Sequence, residues 1–129
     1  MSEEWQKDSR SVVERLIERG SVYDVDSMEM IYDDDQYILF VEADGSVRRA
    51  ARAETIAKFR SWSVERVPPL LTEAEFLHVE VTAENAVVLL RRRMKAGEPS
   101  NLYELRLRKR GDIWKVSGET VLPWVAKED

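Results

Sequence analysis

The chain has 129 residues, of which 43% are hydrophobic and 35% are charged, and it contains no cysteine. This composition excludes an intrinsically disordered protein and a disulfide framework, and the length predicts one domain over residues 1–129. Because no apolar run approaches the roughly 20 residues of a membrane span, no export signal opens the chain and the net charge is −5, we expect a cytoplasmic protein that binds neither membrane nor nucleic acid.

The first third of the chain carries two helix patterns. Apolar residues recur at the spacing of one helix face from Trp5 to Ile17, and charged residues fill the opposite face. Gly20 can adopt the left-handed conformation that ends a helix, and Ser21 with Asp24 has the N-cap spacing that begins the next. Since the apolar pattern repeats over residues 25–32, we predict a short second helix there.

A strand, a turn and a third helix are predicted next. Residues 36–42 are rich in β-branched and aromatic side chains and stop at Asp44-Gly45, a strong hairpin dipeptide. Residues 47–50 can return as a brief strand, and apolar spacing marks a helix over residues 53–62. Pro68-Pro69 excludes helix beyond that point.

The second half predicts an antiparallel meander over residues 75–81, 86–95, 102–110 and 113–121. With two-residue turns at Ala83-Glu84 and Gly111-Asp112, Leu77 lies opposite Leu90 and Tyr103 lies opposite Thr120. One face of the sheet is then apolar and should meet the helices; it carries Leu77, Val79, Val81, Ala86, Val88, Leu90, Tyr103, Leu105, Leu107, Trp114 and Val116.

The opposite face mixes charged and apolar side chains, which is typical neither of a core nor of a plain solvent face. It carries Phe76, His78, Glu80, Val87, Leu89, Arg91, Glu104, Arg106, Lys115 and Glu119. His78, the single histidine, should lie on this outer face near Glu80, as a satisfied or interfacial residue. A register slip of one residue would instead bring His78 into the interior as a candidate acid or base.

Two charge clusters each permit a functional and a structural interpretation. The triplet Asp33-Asp34-Asp35 could bind a hard metal ion, but consecutive carboxylates point in different directions, so we predict a solvated turn and no metal site. Eight basic residues within 91–110 could bind phosphate, but cross-strand pairing with carboxylates, or contact with the acidic N-terminal half of a partner subunit, explains them better. By parity Arg92 continues the inward row, where a charge is costly unless it meets a carboxylate or an acidic ligand.

The order and spacing of these elements resemble the nuclear-transport-factor-2-like superfamily, which includes SnoaL-like proteins and steroid isomerases. The resemblance rests on six segments: Met28 to Asp35, Asp44-Gly45, Ile56 to Phe59, Ala86 to Val88, Tyr103 to Leu107, and Gly111 to Val116. It implies an α+β fold in which three N-terminal helices pack on a curved, mostly antiparallel sheet to form a cone. It also implies a ligand cavity between the helices and the sheet, and a homodimer formed through the outer sheet face.

The catalytic residues of the steroid isomerases are largely missing. The position of their carboxylate base falls near Phe40, and the position of their helix-one tyrosine falls near Leu16, neither of which can move a proton. Only Tyr103, near the place of the second donor, could keep such a role. The resemblance therefore predicts no steroid-isomerase activity.

These observations favour a homodimer that binds a small hydrophobic or acidic molecule without a cofactor and without catalysis. Two alternatives stay open: a cofactor-independent SnoaL-like isomerase, cyclase or dehydratase that uses Tyr32, Tyr103 or His78, and a protein–protein interaction module. The predicted pocket residues are Tyr32, Phe59, Trp62, Arg92, Tyr103 and Trp114. The predicted dimer face consists of Phe76, His78, Glu80, Arg91, Glu104 and Arg106.

Overall fold

A computed structural model describes residues 3–124, so both ends of the predicted domain, residues 1–2 and 125–129, lie outside the described residues. After a 3₁₀ turn at Glu4–Lys7, the helices are α1 (Ser9–Gly20), α2 (Val25–Ile31) and α3 (Arg52–Val64). The strands are β1 (Tyr37–Val41), β2 (Val47–Ala51), β3 (Ala74–Val81), β4 (Asn85–Arg92), β5 (Asn101–Arg110) and β6 (Ile113–Pro123). The predicted α+β architecture of three helices on a curved sheet is confirmed.

Aspartate side chains cap the first two helices. The Asp8 carboxylate accepts a hydrogen bond from the Ser11 backbone N–H (3.0 Å), and the Asp24 carboxylate accepts one from the Ser27 backbone N–H (3.2 Å). The left-handed residue after α1 is Tyr23, with a φ of 60°, whereas Gly20 is still part of the helix. The prediction that Gly20 supplies the left-handed conformation is therefore wrong, because the chain makes its turn three residues later.

The six strands form one mixed sheet in the order β2-β1-β6-β5-β4-β3. All neighbouring strands run antiparallel except β1 and β6, which pair in parallel through Ile38 opposite Glu119. Parallel strands need a long connection, and here α3 and the meander lie between β1 and β6 along the chain. It brings the N-terminal hairpin β1–β2 against the last strand and so closes one side of the interior.

A bulge in β6 changes which residues face inward. Leu107 lies opposite Val116 as predicted, but Tyr103 lies opposite Val121 instead of Thr120, because the register shifts between Arg106 and Leu107. One extra residue in a strand reverses the alternation beyond it. Glu119, which we predicted on the outer face, is consequently buried on the inner face, opposite Leu105.

A second bulge, near the start of β3, changes which residues of that strand lie on the outer face of the sheet. Val79 lies opposite Val88 as predicted, but Phe76 lies opposite Leu90, with the irregularity at Leu77. Phe76 therefore packs against the core, while Leu77 is 39% exposed. The placements of Phe76 on the dimer face and of Leu77 in the apolar row are both wrong, because a two-residue turn fixes the register only as far as the first bulge.

The core lies between α1, α2 and the concave face of the sheet. Its central side chains come from one stripe of α1, one side of α2 and alternating positions of the meander: Val12, Val13, Leu16, Met28, Ile31, Val88, Leu90, Leu105, Leu107, Trp114 and Val116. α3 contributes less, since Thr55 and Ile56 are its buried residues. None of the helices within residues 3–124 has the length and hydrophobicity needed to span a membrane.

Candidate functional site

A cavity of about 330 Å³ lies beneath α3, between the helices and the inner face of the sheet. α1 lines it with Val13, Leu16 and Ile17, and the inner face lines it with aliphatic side chains that include Leu90 and Leu105. The cavity exists because α3 lies over the concave sheet without filling it with side chains. Its walls are therefore mainly apolar.

Aromatic side chains form the wall on the side of α3. The rings of Phe59 and Trp62 lie 5.0 Å apart, and Tyr23 packs edge-on against both, at 6.0 Å from Phe59 and 5.7 Å from Trp62. The Tyr23 hydroxyl donates a hydrogen bond to the Pro68 carbonyl (2.7 Å), which holds the cluster to the segment after α3. Phe40 of β1 adds a further ring to the lining.

Charged side chains also contribute to the lining, from β2 and α3. The Arg48 guanidinium lies 4.3 Å from the centre of the Phe40 ring, and the Lys58 ammonium lies 5.5 Å from the Trp62 ring. Glu54 is the carboxylate of this set, and it accepts a hydrogen bond from the Ala51 backbone N–H (3.3 Å). Both cations are thus held against aromatic faces of the lining.

Arg92 is the buried cation of the cavity. Its side chain reaches from the end of β4, is 8% exposed, and donates from Nη2 to the Ser21 hydroxyl and to the Leu71 carbonyl, both at 2.8 Å. Its buried Nε has no hydrogen-bond partner among residues 3–124. Burial lowers the pKa of Arg92, while Tyr103, Glu119 and Tyr32 raise it, and the guanidinium stays charged at neutral pH.

Glu119 is the buried acid of the same cavity. It is 7% exposed, and its Oε1 atom also lacks a hydrogen-bond partner within the described residues. Burial raises the pKa of Glu119 to about 7, against the lowering effects of Arg92, a hydrogen bond from Tyr32, and Arg106. The carboxyl group can therefore give or take a proton near neutral pH.

Two tyrosines complete the polar part of the lining. Burial, followed by the charge of Glu119, raises the pKa of Tyr32 well above its ordinary value. Burial also raises the pKa of Tyr103, although Arg92 and a hydrogen bond with Asn101 act in the opposite direction. Both phenols are neutral hydrogen-bond donors at physiological pH.

Five of the six predicted pocket residues line this cavity: Tyr32, Phe59, Trp62, Arg92 and Tyr103. Trp114 does not, because it lies near the β5–β6 turn, on the other side of the β6 bulge from Glu119, and packs in the core. Sequence reasoning missed Glu119, since strict alternation along β6 placed it outside. The one available signal was Gly118, where a Cβ atom would come within 2.7 Å of the Arg106 guanidinium.

Most of the predicted dimer face does lie on the outer side of the sheet. His78 is largely exposed and contacts Glu80 (3.2 Å), and Arg91 pairs with Glu75 (3.0 Å). Glu104 and Arg106 form an ion pair on the same side, although Phe76 faces inward as described above. The structure thus places His78 outside the cavity.

The aspartate triplet is not the fully solvated turn that we predicted. Asp33 is buried and accepts hydrogen bonds from Arg110 (Nη2 at 2.9 Å, Nε at 3.2 Å) and from Arg108 (3.2 Å). Burial raises the pKa of Asp33, but the hydrogen bonds and charge of these arginines outweigh burial and lower it. Within residues 3–124 no group of three or more acidic or histidine side chains could hold a metal ion.

Comparisons with known proteins identify the fold alone. No protein-family model matches the sequence, and no curated protein sequence matches it. The structure is similar to an NTF2-like protein of unknown function from Silicibacter pomeroyi, with a TM-score of 0.69, 12% identity, and coverage of 87% of this chain and 89% of that chain. An NTF2-like protein of unknown function from Shewanella baltica gives a TM-score of 0.69 at 15% identity, covering 91% of each chain.

A third similar structure is an NTF2-like protein from Cytophaga hutchinsonii, with a TM-score of 0.67, 18% identity, and coverage of 91% of this chain and 99% of that chain. These likenesses extend over nearly the whole of both partners in each pair. The chain therefore has the nuclear-transport-factor-2-like fold, as the sequence resemblance predicted. Since that fold carries many unrelated functions, function has to be argued from the cavity.

Proposed function

We propose that this nuclear-transport-factor-2-like domain binds a small, mainly apolar molecule in the cavity beneath α3 and does not itself transform it. The observation that supports the proposal is the make-up of the cavity. Its walls are mainly aliphatic and aromatic, yet it holds two buried polar groups, Arg92 and Glu119, each with an atom that has no hydrogen-bond partner among residues 3–124. Sites for small molecules combine an apolar lining with a few convergent polar groups in this way.

Native mass spectrometry of the purified protein, combined with a variant that fills the cavity, tests this proposal. Ala50 lines the cavity from β2, so Ala50→Phe should fill the space and abolish any retained mass. Ala57→Phe makes the same change on the exposed side of α3 and should leave a retained molecule in place. Equal retention by both variants would show that the molecule sits elsewhere and would overturn the proposal.

A second candidate function is cofactor-independent acid–base catalysis, of the kind an isomerase or a lyase performs. It is favoured by one observation, the buried carboxyl of Glu119 with a pKa of about 7 and a hydrogen bond from Tyr32. A group with a pKa near the working pH is a suitable general acid or base. In this candidate Glu119 would move the proton, and Tyr32 or Tyr103 would stabilise an oxygen that gains charge.

Turnover distinguishes the two candidates. The bound compound, once identified, should be recovered unchanged if the domain only binds it. Catalysis by Glu119 would instead convert it, and Glu119→Gln would slow the conversion by about a hundredfold or more while retaining binding. Glu84→Gln, which changes an exposed carboxylate in the β3–β4 turn, provides the matched control.

We also propose that two copies associate through the outer face of the meander. Half-buried Val87 and Leu89 lie on that face among His78, Glu80 and Arg106, so a partner copy would cover apolar surface as well as charge. Sedimentation velocity should give a dimer for the wild type and a monomer for Leu89→Glu. Val64→Glu, on the exposed side of α3, should remain dimeric. A wild-type monomer would contradict dimerisation and favour an interaction with a different protein.

A further inference from the structure

Arg92 is a buried cation without a carboxylate partner. In the part of the chain that the structure describes, no carboxylate oxygen lies within 4.0 Å of its guanidinium, and its hydrogen bonds go to the neutral oxygens of Ser21 and Leu71. Other arginines of the meander, Arg91 and Arg108 among them, do form ion pairs. Because a buried charge is costly unless it is paired, the exception at Arg92 indicates a site for an anion that residues 3–124 do not supply at contact distance.

Glu119 lies in the same cavity, and its Oε1 atom accepts no hydrogen bond from the part of the chain that the structure describes. The charged and titratable groups around it are Tyr32 at the end of α2, Arg92 on β4, and Tyr103 and Arg106 on β5, with Arg52 of α3 close to Tyr32. When protonated, the carboxyl group can donate a hydrogen bond. The cavity can therefore offer a positive charge from one side and a neutral donor from another.

The rest of the cavity lining indicates the chemical nature of the remainder of the bound molecule. Apart from the polar groups already described, the lining is made of aliphatic and aromatic side chains from α1, α3 and the inner face of the sheet. Binding to such walls is favoured when the molecule buries apolar surface or aromatic rings against them. They give no reason to expect a molecule with several charges.

We propose that the cavity takes an apolar molecule ending in a single carboxylate, whose oxygens accept hydrogen bonds from Arg92 while protonated Glu119 donates another. The guanidinium N–H groups that are not donated to Ser21 and Leu71 remain for a carboxylate. A second anion beside ionised Glu119 would be repelled, so a molecule in which Glu119 is ionised takes up a proton there when the acid binds. This inference rests on the proposed function and assigns the chemical class of its ligand.

Matched acids and amides test the proposal. The probes are phenylacetate, naphthalene-1-acetate and decanoate, each with its primary amide, so that the apolar body is constant and the charge alone changes. By isothermal titration calorimetry on the full chain, the acid of the pair that fits should bind about tenfold or more tightly than its amide. In Arg92→Met this preference should disappear while the amide still binds, and Arg92→Lys should retain part of it.

The outcomes separate the two proposals. Amides that bind as tightly as the acids would overturn the carboxylate proposal while supporting binding in the cavity. A wild-type protein that binds neither set, with no retained molecule in its native mass spectrum, would overturn both. Thermal unfolding shows whether each variant is folded. If Arg92→Met is not folded, the binding of acid and amide is compared between the wild type and Arg92→Lys.

The proton coupled to binding provides an independent readout. Affinity of the wild type for the acid should fall as the pH rises from about 6 to about 8, because Glu119 ionises over that range. Glu119→Gln, which is neutral at every pH, should bind the acid with nearly constant affinity. If the variant keeps the wild-type pH profile, Glu119 is not the group that takes the proton, and that part of the proposal is wrong.

Discussion

Two clusters of buried charged side chains lie at opposite ends of the sheet. They differ in whether their hydrogen-bonding atoms have partners within the described chain. Near the β5–β6 turn, Asp33 receives hydrogen bonds from Arg110 and Arg108, so its charge is matched within the chain. In the cavity, Arg92 and Glu119 each keep a buried polar atom without a partner among residues 3–124. The first group holds the end of α2 to β5, whereas the second leaves bonding capacity for a molecule that enters.

The two carboxylates also shift in opposite directions, and so they act oppositely on stability. The pKa of Asp33 is lowered in the fold, so its contribution is present above the unfolded-state pKa and is lost as the pH falls through the folded-state value. The pKa of Glu119 is raised to about 7, so stability is greatest below the unfolded-state pKa and decreases as the pH rises towards 7. Because the two pKa shifts have opposite signs, the pH dependence of the free energy of unfolding distinguishes Asp33 from Glu119.

The largest effect is expected for Glu119→Gln. Between an ordinary pKa of 4.5 and a folded-state pKa of about 7, ionisation of Glu119 costs the wild type about 3 kcal/mol, which the neutral variant does not lose. The variant should therefore match the wild type near pH 4 and exceed its free energy of unfolding above pH 7. Urea unfolding across this range measures the difference.

Glu84→Gln provides the control for that experiment, because it removes an exposed carboxylate of the same kind. It should follow the wild type at every pH. If Glu119→Gln also follows the wild type, the carboxyl is ionised at no cost in the fold, and the contrast between the two clusters is lost.

A smaller effect of the opposite sign is expected for Asp33→Asn. Loss of charge-assisted hydrogen bonds to Arg110 and Arg108 should lower the free energy of unfolding at neutral pH by about 2 kcal/mol. The loss should shrink in acid, where the wild-type carboxylate is protonated as well. Asp34→Asn changes the exposed neighbour and should have little effect. An equal loss in both variants would mean that the arginines contribute no specific stabilisation.

The smallest effect on stability is expected for Arg92→Met. The variant loses two hydrogen bonds but no longer buries an unpaired charge, and we expect a change in the free energy of unfolding of less than about 1 kcal/mol. Chemical denaturation measures it, with Arg93→Met at the exposed neighbouring position as control. A loss as large as that of Asp33→Asn would make Arg92 a structural residue and remove the contrast between the clusters.

The elements of the fold could be predicted from local signals, because their patterns are local. Apolar spacing predicted the helices, and Asp44-Gly45 and Gly111-Asp112 marked turns with positive φ at both glycines. The predicted N-cap spacing of Ser21 with Asp24 was wrong in its cap residue, because Asp24 itself caps α2. The register could be predicted only from each turn to the nearest bulge. It failed at Leu77 on β3 and beyond Val116 on β6.

By itself, then, the sequence determined the order of helices and strands, the inward position of Arg92 and the aromatic character of α3, since these follow from periodicity and parity within a single element. Only the tertiary structure decided that Glu119 joins Arg92, Tyr32 and Tyr103 in the cavity. The bulge in β6, the parallel pairing with β1 and the covering helix together remove Glu119 from water. Burial of this kind depends on contacts between distant segments, and it is what brings the pKa of Glu119 near neutrality.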